Sequence, residues 1–145
     1  MIEVKIHKID KSAKLPHRMS THAAGYDLYS CHQQNIILKK GEVKLIPTGI
    51  AISLPSGYEA QIRPRSGLAI KHGIGVLNAP GTIDADYRGE IKIILFNFSK
   101  EDFIITPGKR VAQMVIAKHE IVDFAVTEKL DKTTRGSGGF GHTSH

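Results

Sequence analysis

The chain has 145 residues, of which 41% are hydrophobic and 23% are charged, and its formal net charge at pH 7 is +6. These values favour one globular domain, and no apolar run approaches the roughly 18–20 residues that cross a bilayer, so no membrane partner is expected. The basic residues are scattered and the chain has no tryptophan, so the charge favours local sites for small anions, and no nucleic-acid partner is expected.

The first half of the chain consists of short segments in which apolar and polar residues alternate. Examples are residues 2–6, 43–45 and 58–63. Alternation with period two and many β-branched residues indicates strands. The first ten residues mix charged with apolar side chains, unlike a secretory signal, and Cys31 is the one cysteine. A reducing cytoplasm is therefore the expected location.

The second half continues with apolar runs at residues 91–98 and 111–117. Turn signals such as "PTG", "LPSG", "APG" and "TPGK" recur about every ten residues, which is typical of a β-sandwich, barrel or jelly roll. The helix candidate is the short stretch "SGLAIKHG", which Gly73 ends. The sequence therefore predicts an all-β domain with one short helix over residues 1–130, and a flexible C-terminal arm over residues 131–145.

The stretch "AGYDLYS", residues 24–30, contains the first candidate site residue. Gly25 permits a tight backbone before a strand, and Asp27 follows it closely. A carboxylate beside a polyphosphate would hold a hard cation, directly or through its waters. The alternative is a surface acid in a turn that precedes a strand.

The stretch "RPRSGLAIKHG", residues 63–73, contains a candidate anion site. Ser66 resembles an N-cap residue followed by Gly67 and a helical turn, and Arg65 precedes it. Free N–H groups at a helix start and a forked guanidinium both suit phosphate oxygens. The alternative is a plain capped turn with a surface arginine.

The stretch "LNAPGTIDADYRGEI", residues 77–91, predicts a tight hairpin that carries Asn78, Asp84, Asp86 and Tyr87. A carboxylate in a rigid hairpin can act as a general base toward water. Spacing alone does not decide which aspartate that is, and aspartate is also a common turn former.

Two C-terminal stretches complete the candidates. In "GKRVAQM", residues 108–114, Gln113 lies inside an apolar strand and needs a partner, which is either a ligand or another strand. In "RGSGGFGHTSH", residues 135–145, Arg135 can pair with a phosphate and Phe140 can stack on a base. The alternative for such a glycine-rich tail is plain disorder.

Taken together and in this order, the five stretches resemble the five motifs of the trimeric dUTPases. The matching segments are "AGYDL", "PRSGLA", "GTIDADYRGEI", "RVAQM" and "RGSGGFG", spread over residues 24–141. The resemblance implies a jelly-roll-like β domain, the dUTPase-like β-clip, that forms a homotrimer. Three active sites would lie at subunit interfaces, and each arm would close over a neighbour's bound nucleotide.

The implied reaction converts dUTP and water into dUMP and pyrophosphate, which limits uracil in DNA and supplies dUMP for dTMP synthesis. By resemblance, Asp84 is the base that activates water toward the α-phosphorus, and Asp27 supports the site near the metal and the sugar. Mg²⁺ is the implied cofactor, held by substrate phosphates and waters without a direct protein ligand.

The resemblance also implies a set of substrate-binding residues. Phosphate oxygens or the metal's waters would be bound by Arg65, Ser66, Gly67 and Gln113. Tyr87 would pack on deoxyribose and leave no room for a 2′-hydroxyl, while Asn78 and the backbone at Gly81 and Ile83 would bond uracil. The arm would contribute Arg135, Ser137 and Gly138 to the phosphates and Phe140 to the base. Asp86 is interpreted as a turn residue.

The arm departs from the family's usual "GFGST", because Gly141 is followed by His142, Thr143 and Ser144. Two rival functions remain. The dCTP deaminases share the fold but carry a glutamate in the strand after the hairpin, where residues 93–96 are all apolar here. A non-catalytic nucleotide sensor or polynucleotide-binding module on the same scaffold is supported only by the sequence pI near 9.5.

Overall fold

The computed structural model describes residues 1–141 and is an all-β structure with one short helix. The described strands are β1 (Lys5–Lys8), β2 (Tyr26–Tyr29), β3 (Ile36–Leu38), β4 (Val43–Pro47), β5 (Ile50–Ser53), β6 (Tyr58–Arg63), β7 (Ile74–Val76), β8 (Gly81–Ile83), β9 (Lys92–Asn97), β10 (Phe103–Ile105) and β11 (Arg110–Lys118), and the helix is α1 (Ser66–His72). The prediction of an all-β fold with one short helix is confirmed. No helix within residues 1–141 is long and apolar enough to span a membrane.

The strands form four antiparallel sheets rather than a closed barrel. The largest has the order β2-β11-β6-β8, a second has the order β4-β9-β7, and two pairs join β1 to β5 and β10 to β3. Most of these neighbours are distant in sequence, so non-local pairing defines the fold.

One hydrophobic core joins the sheets. Its fully buried side chains include Leu28, Ile46, Ile74, Leu95 and Val111, each from a different strand. Alternation produces this burial, since every second residue of β9 is buried. Burying an Ile or Leu side chain stabilises the fold by roughly 1.5–3 kcal/mol, so the period-two pattern that predicts the strands also supplies the core.

The helix α1 begins one residue earlier than its sequence suggests. The N-cap is Arg65, in an extended conformation and without a side-chain cap, so the prediction of Ser66 as N-cap is wrong. Gly73 ends the helix at φ 62°, a left-handed conformation that glycine adopts without steric cost, and its N–H donates to Ala69 O at 3.0 Å. Leu68 anchors α1 to the core.

The predicted hairpin over residues 77–91 is wrong. β7 pairs with β9, whereas β8 pairs with β6, so the chain leaves one sheet after Val76 and enters another at Gly81. This crossing places Asp84 immediately after the last residue of an edge strand of the largest sheet.

The last strand ends at Lys118, and the described residues after it form neither strand nor helix. Their large apolar side chains are exposed, among them Ile121, Phe124 and Leu130. The expectations for His142, Thr143 and Ser144 lie outside the described residues.

Candidate functional site

A polar cleft gathers the residues predicted from three separate sequence stretches. Its volume is about 460 Å³, and its lining includes Asp27, Arg65, Ser66, Gly67 and Gln113. Arg63 also lines it, so two arginines border this cleft, and we call it the arginine cleft. Strand pairing explains the gathering: Asp27 stands opposite Gln113, and Gln113 stands opposite Arg63, so the three share one face of the sheet.

Asp27 is an anchor for two arginines. Arg65 Nε donates to Oδ1 at 3.0 Å, and Arg110 NH1 donates to Oδ2 at 3.0 Å. The Asp27 side chain is only 11% exposed, so its charge needs such partners. Both oxygens of the Asp27 carboxylate are thus engaged by arginines, and these contacts orient the two guanidinium groups.

Sequence reasoning missed Arg110, and the reason is a bulge in β11. The pairing with β2 shifts between Arg110 and Ala112, so Arg110 stands opposite Tyr29 and Val111 is the extra residue. Strict alternation would turn Arg110 to the core side with Ala112. The bulge re-aims it to the face of Asp27, a common use of bulges beside functional sites. Two signals in the sequence could have found it: Arg110 is a long cation ahead of an apolar run, and it is the first residue of the segment "RVAQM".

Gln113 is fixed by the two stretches that flank it. Its Nε2 donates to Pro64 O at 2.9 Å, just beyond β6. Its Oε1 fills the space beside Gly25, where any Cβ would collide with it. The amide therefore has a partner within the protein, the backbone at the end of the neighbouring strand, and Gly25 is required by close approach.

A second cleft, of about 320 Å³, contains Ile83, Asp84 and Tyr87, and we call it the tyrosine cleft. Tyr87 OH donates to Glu90 O at 3.0 Å, and its ring lies against Gly89, where a side chain would collide with it. The ring is therefore held in one place although it is half exposed, and the carboxylate of Asp84 is exposed beside it.

Other predicted residues lie apart from both clefts. Asn78 packs over Gly81 at the opposite end of β8 and lines neither cleft. In the arm, Arg135 Nε donates to Gly138 O at 2.8 Å, Ser137 is exposed, and Phe140 is fully exposed. Among the described residues, then, one chain does not bring its own arm to either cleft.

The two clefts share no lining residue. Ile83, next to Asp84, pairs with Ala60, and the edge of the arginine cleft is Arg63 on the same strand. With a rise of about 3.3 Å per residue, Asp84 and Arg63 stand roughly 13 Å apart along the sheet, and Arg65 lies farther on.

Known proteins provide an independent comparison. A family model described as dUTPase matches residues 11–144. The deoxyuridine 5'-triphosphate nucleotidohydrolase of Rickettsia typhi is 60% identical over 144 residues, covering 99% of this chain and 97% of the relative. The dUTPase of Staphylococcus bacteriophage 80alpha, solved with dUpNHpp, has a TM-score of 0.86 and 25% identity and covers 100% of both chains. A mutant dUTPase from phage phi11 of S. aureus, described with a structural Mg(II) ion, has a TM-score of 0.81 and 23% identity over 90% of this chain and 100% of that chain.

Proposed function

This chain belongs to the dUTPase family, and from that premise we propose that it hydrolyses dUTP to dUMP and pyrophosphate. The observation that carries the proposal is the content of the two clefts: a carboxylate beside a fixed aromatic ring in one, and oriented arginine in the other. The first suits a water nucleophile beside a nucleoside, and the second suits a polyphosphate.

Asp84 is the proposed general base. It accepts a proton from water as the water oxygen forms a bond to the α-phosphorus and the bond to the pyrophosphate oxygen breaks in line. Its exposed position at the end of β8 gives water access to the carboxylate. The backbone holds it in place, since Tyr87 N–H donates to Asp84 O at 3.1 Å.

The arginine cleft is the proposed phosphate site. Arg65 is held through Nε by Asp27, so its terminal nitrogens remain for forked bonds to phosphate oxygens. Ser66 lines the same wall, and the space beside Gly67 is open to an approaching ligand. Gln113 presents its amide from the neighbouring strand.

The tyrosine cleft is the proposed nucleoside site. Because Tyr87 is held by Glu90 and Gly89, its ring is a rigid surface for deoxyribose that leaves no room for a 2′-hydroxyl. In this proposal the base extends from the tyrosine cleft along β8, where Asn78 and the backbone at Gly81 and Ile83 bond the uracil edge. A narrow uracil pocket rejects the methyl group of thymine and leaves the amine of cytosine without an acceptor.

Mg²⁺ is the proposed cofactor, held by the phosphates and by water. The side chains present fit this arrangement, because both oxygens of Asp27 already pair with arginines. Within residues 1–141, no group of three or more His, Cys, Asp or Glu side chains is placed to hold a metal ion. When bound, the ion neutralises phosphate charge as it develops.

A homotrimer with shared sites is the proposed assembly. A base must lie within hydrogen-bond reach of its water, yet Asp84 and the arginine cleft are separated within one chain. A second copy that presents its arginine cleft to the tyrosine cleft would complete the site. The exposed arm, with Phe140 unpartnered among the described residues, is free to close over such a shared site.

Cys31, the single thiol, suits a reducing cytoplasm.

Phe140→Ala is expected to lower kcat/KM for dUTP roughly 5- to 150-fold, since stacking on a base is worth about 1–3 kcal/mol. Phe140→Tyr should keep most activity because the ring remains. Phe98 is an exposed phenylalanine after β9, so Phe98→Ala is a matched control with wild-type kinetics. Steady-state kinetics decide: unchanged kcat/KM in Phe140→Ala removes the stacking role.

Incubation of the protein with Mg²⁺ and each of dUTP, dCTP, dTTP and UTP tests the whole proposal. Pyrophosphate should form from dUTP, and the other three nucleotides should react at least roughly 100-fold more slowly, because steric and hydrogen-bond mismatches each cost several kcal/mol. Ammonia from dCTP would instead identify a deaminase. Salt-sensitive DNA binding without turnover of any nucleotide would identify a non-catalytic binding module.

A further inference from the structure

Arg110 lies outside the arginine cleft but contacts the buried acid that supports it. It is absent from the lining of that cleft, and its NH1 nevertheless donates to Asp27 Oδ2 at 3.0 Å. The bulge in β11 is what brings it there, at the cost of one residue left out of the ladder. The bulge thus places a second arginine on Asp27, the acid that holds the proposed phosphate-binding residue Arg65.

Asp27 divides its two oxygens between two arginines. Oδ1 accepts from Arg65 Nε and Oδ2 accepts from Arg110. An arginine and a carboxylate commonly form two parallel bonds, in which a terminal nitrogen and Nε, or both terminal nitrogens, face the acid. Arg110 therefore competes with a second nitrogen of Arg65 for Oδ2, and in this structure Oδ2 accepts from Arg110.

We propose that Arg110 is a positioning residue that keeps Asp27 from pairing with Arg65 bidentately, so that the terminal nitrogens of Arg65 face the triphosphate. The inference rests on the proposed function for its choice of ligand. Removal of Arg110 leaves a buried carboxylate with one cation, and Arg65 rotates to satisfy both oxygens. The chain then loses affinity for the phosphates beyond the α-phosphate and keeps its affinity for the nucleoside.

The test compares two nucleotides on the intact protein by calorimetry. The probes are dUpNHpp with Mg²⁺, which carries three phosphates and a hydrolysis-resistant imido bridge, and dUMP, which carries one. Arg110→Met should weaken dUpNHpp roughly 10- to 100-fold, the range typical of losing a charge-assisted contact, and should change dUMP affinity less than about 2-fold. Arg110→Lys, whose ammonium can still bond Oδ2, should restore dUpNHpp affinity to within about 3-fold of wild type.

A double-mutant cycle separates positioning from folding. If Arg110 acts through Arg65, adding Arg110→Met to Arg65→Met should weaken dUpNHpp less than about 3-fold further. Lys109→Met is the matched control, because it removes one positive charge from the adjacent position, where Lys109 lies over the Phe103 ring. Its nucleotide affinities should equal those of wild type.

Equal loss of affinity for dUMP and dUpNHpp in Arg110→Met, or independent effects in the double-mutant cycle, would overturn the inference. A crystal structure of Arg110→Met without ligand tests it apart from the reaction, since Arg65 should then bond both oxygens of Asp27. Unchanged geometry of Arg65 there contradicts the inference even if wild type turns over dUTP. Wild type without turnover contradicts the proposed function alone.

Discussion

Asp84→Asn is expected to lower kcat for dUTP roughly 10²- to 10⁴-fold, the range typical of losing a general base. The amide is isosteric with the carboxylate and differs in being unable to accept the proton of the attacking water. Affinity for dUpNHpp should change less than about 3-fold, because the substitution removes an interaction that stabilises the transition state and not the bound ground state. Steady-state kinetics and calorimetry on the same preparation measure the two quantities.

Asp86→Asn is the matched control for this prediction. Asp86 lies two residues away, is also exposed, and is interpreted as a turn residue without chemistry. Its kcat should stay within about 2-fold of wild type, as is usual for surface substitutions. Equal losses in both variants would mean that charge in this turn, and not a proton acceptor at Asp84, supports activity.

Several strands, such as β6 and β9, could be predicted from the sequence because local alternation records which side chains face the core. β1 lies at Lys5–Lys8, later than the alternating residues 2–6, and none of its residues is buried. The order of the strands could not be predicted, because pairing depends on contacts between distant residues. The stretch around Asp84 illustrates this. Pro80, Gly81 and Asp84 are turn residues and suggest a hairpin, yet the strands on either side of the turn at Pro80 pair with β9 and β6.

The candidate site shows the same division between local and non-local information. Arg65, Ser66 and Gly67 are contiguous in sequence, and they line one cleft. Arg110 escaped prediction because a bulge reverses the face that period two assigns to it. The family resemblance places Asp27 near a metal. Its two arginine partners come from separate stretches of the sequence, so alternation within one stretch does not reveal them.

Deletion of residues 135–145 should lower kcat/KM for dUTP roughly 100-fold or more, because in the proposed function the arm orders the substrate for attack. The domain should stay folded, since Met114 is the last buried residue of the hydrophobic core and no described residue of the arm packs against that core. Thermal unfolding and kinetics measure the two effects separately. A truncated chain that fails to fold would show that the arm is structural.

Co-expression of the truncated chain with the Asp84→Asn chain tests whether the arm serves a neighbour. Each chain alone lacks one part, but in the proposed assembly a mixed trimer would contain sites with Asp84 from one subunit and an arm from another. Random mixing should restore about a quarter of wild-type activity. A complete site needs the truncated chain where Asp84 is supplied and the Asp84→Asn chain where the arm is supplied, and each of these has a probability of about one half. If each arm closed over its own Asp84, no site in the mixture would be complete, and activity would remain at the level of the two parents. Recovery of activity therefore requires a site built from several copies, as the separated clefts and the exposed arm of one chain suggest.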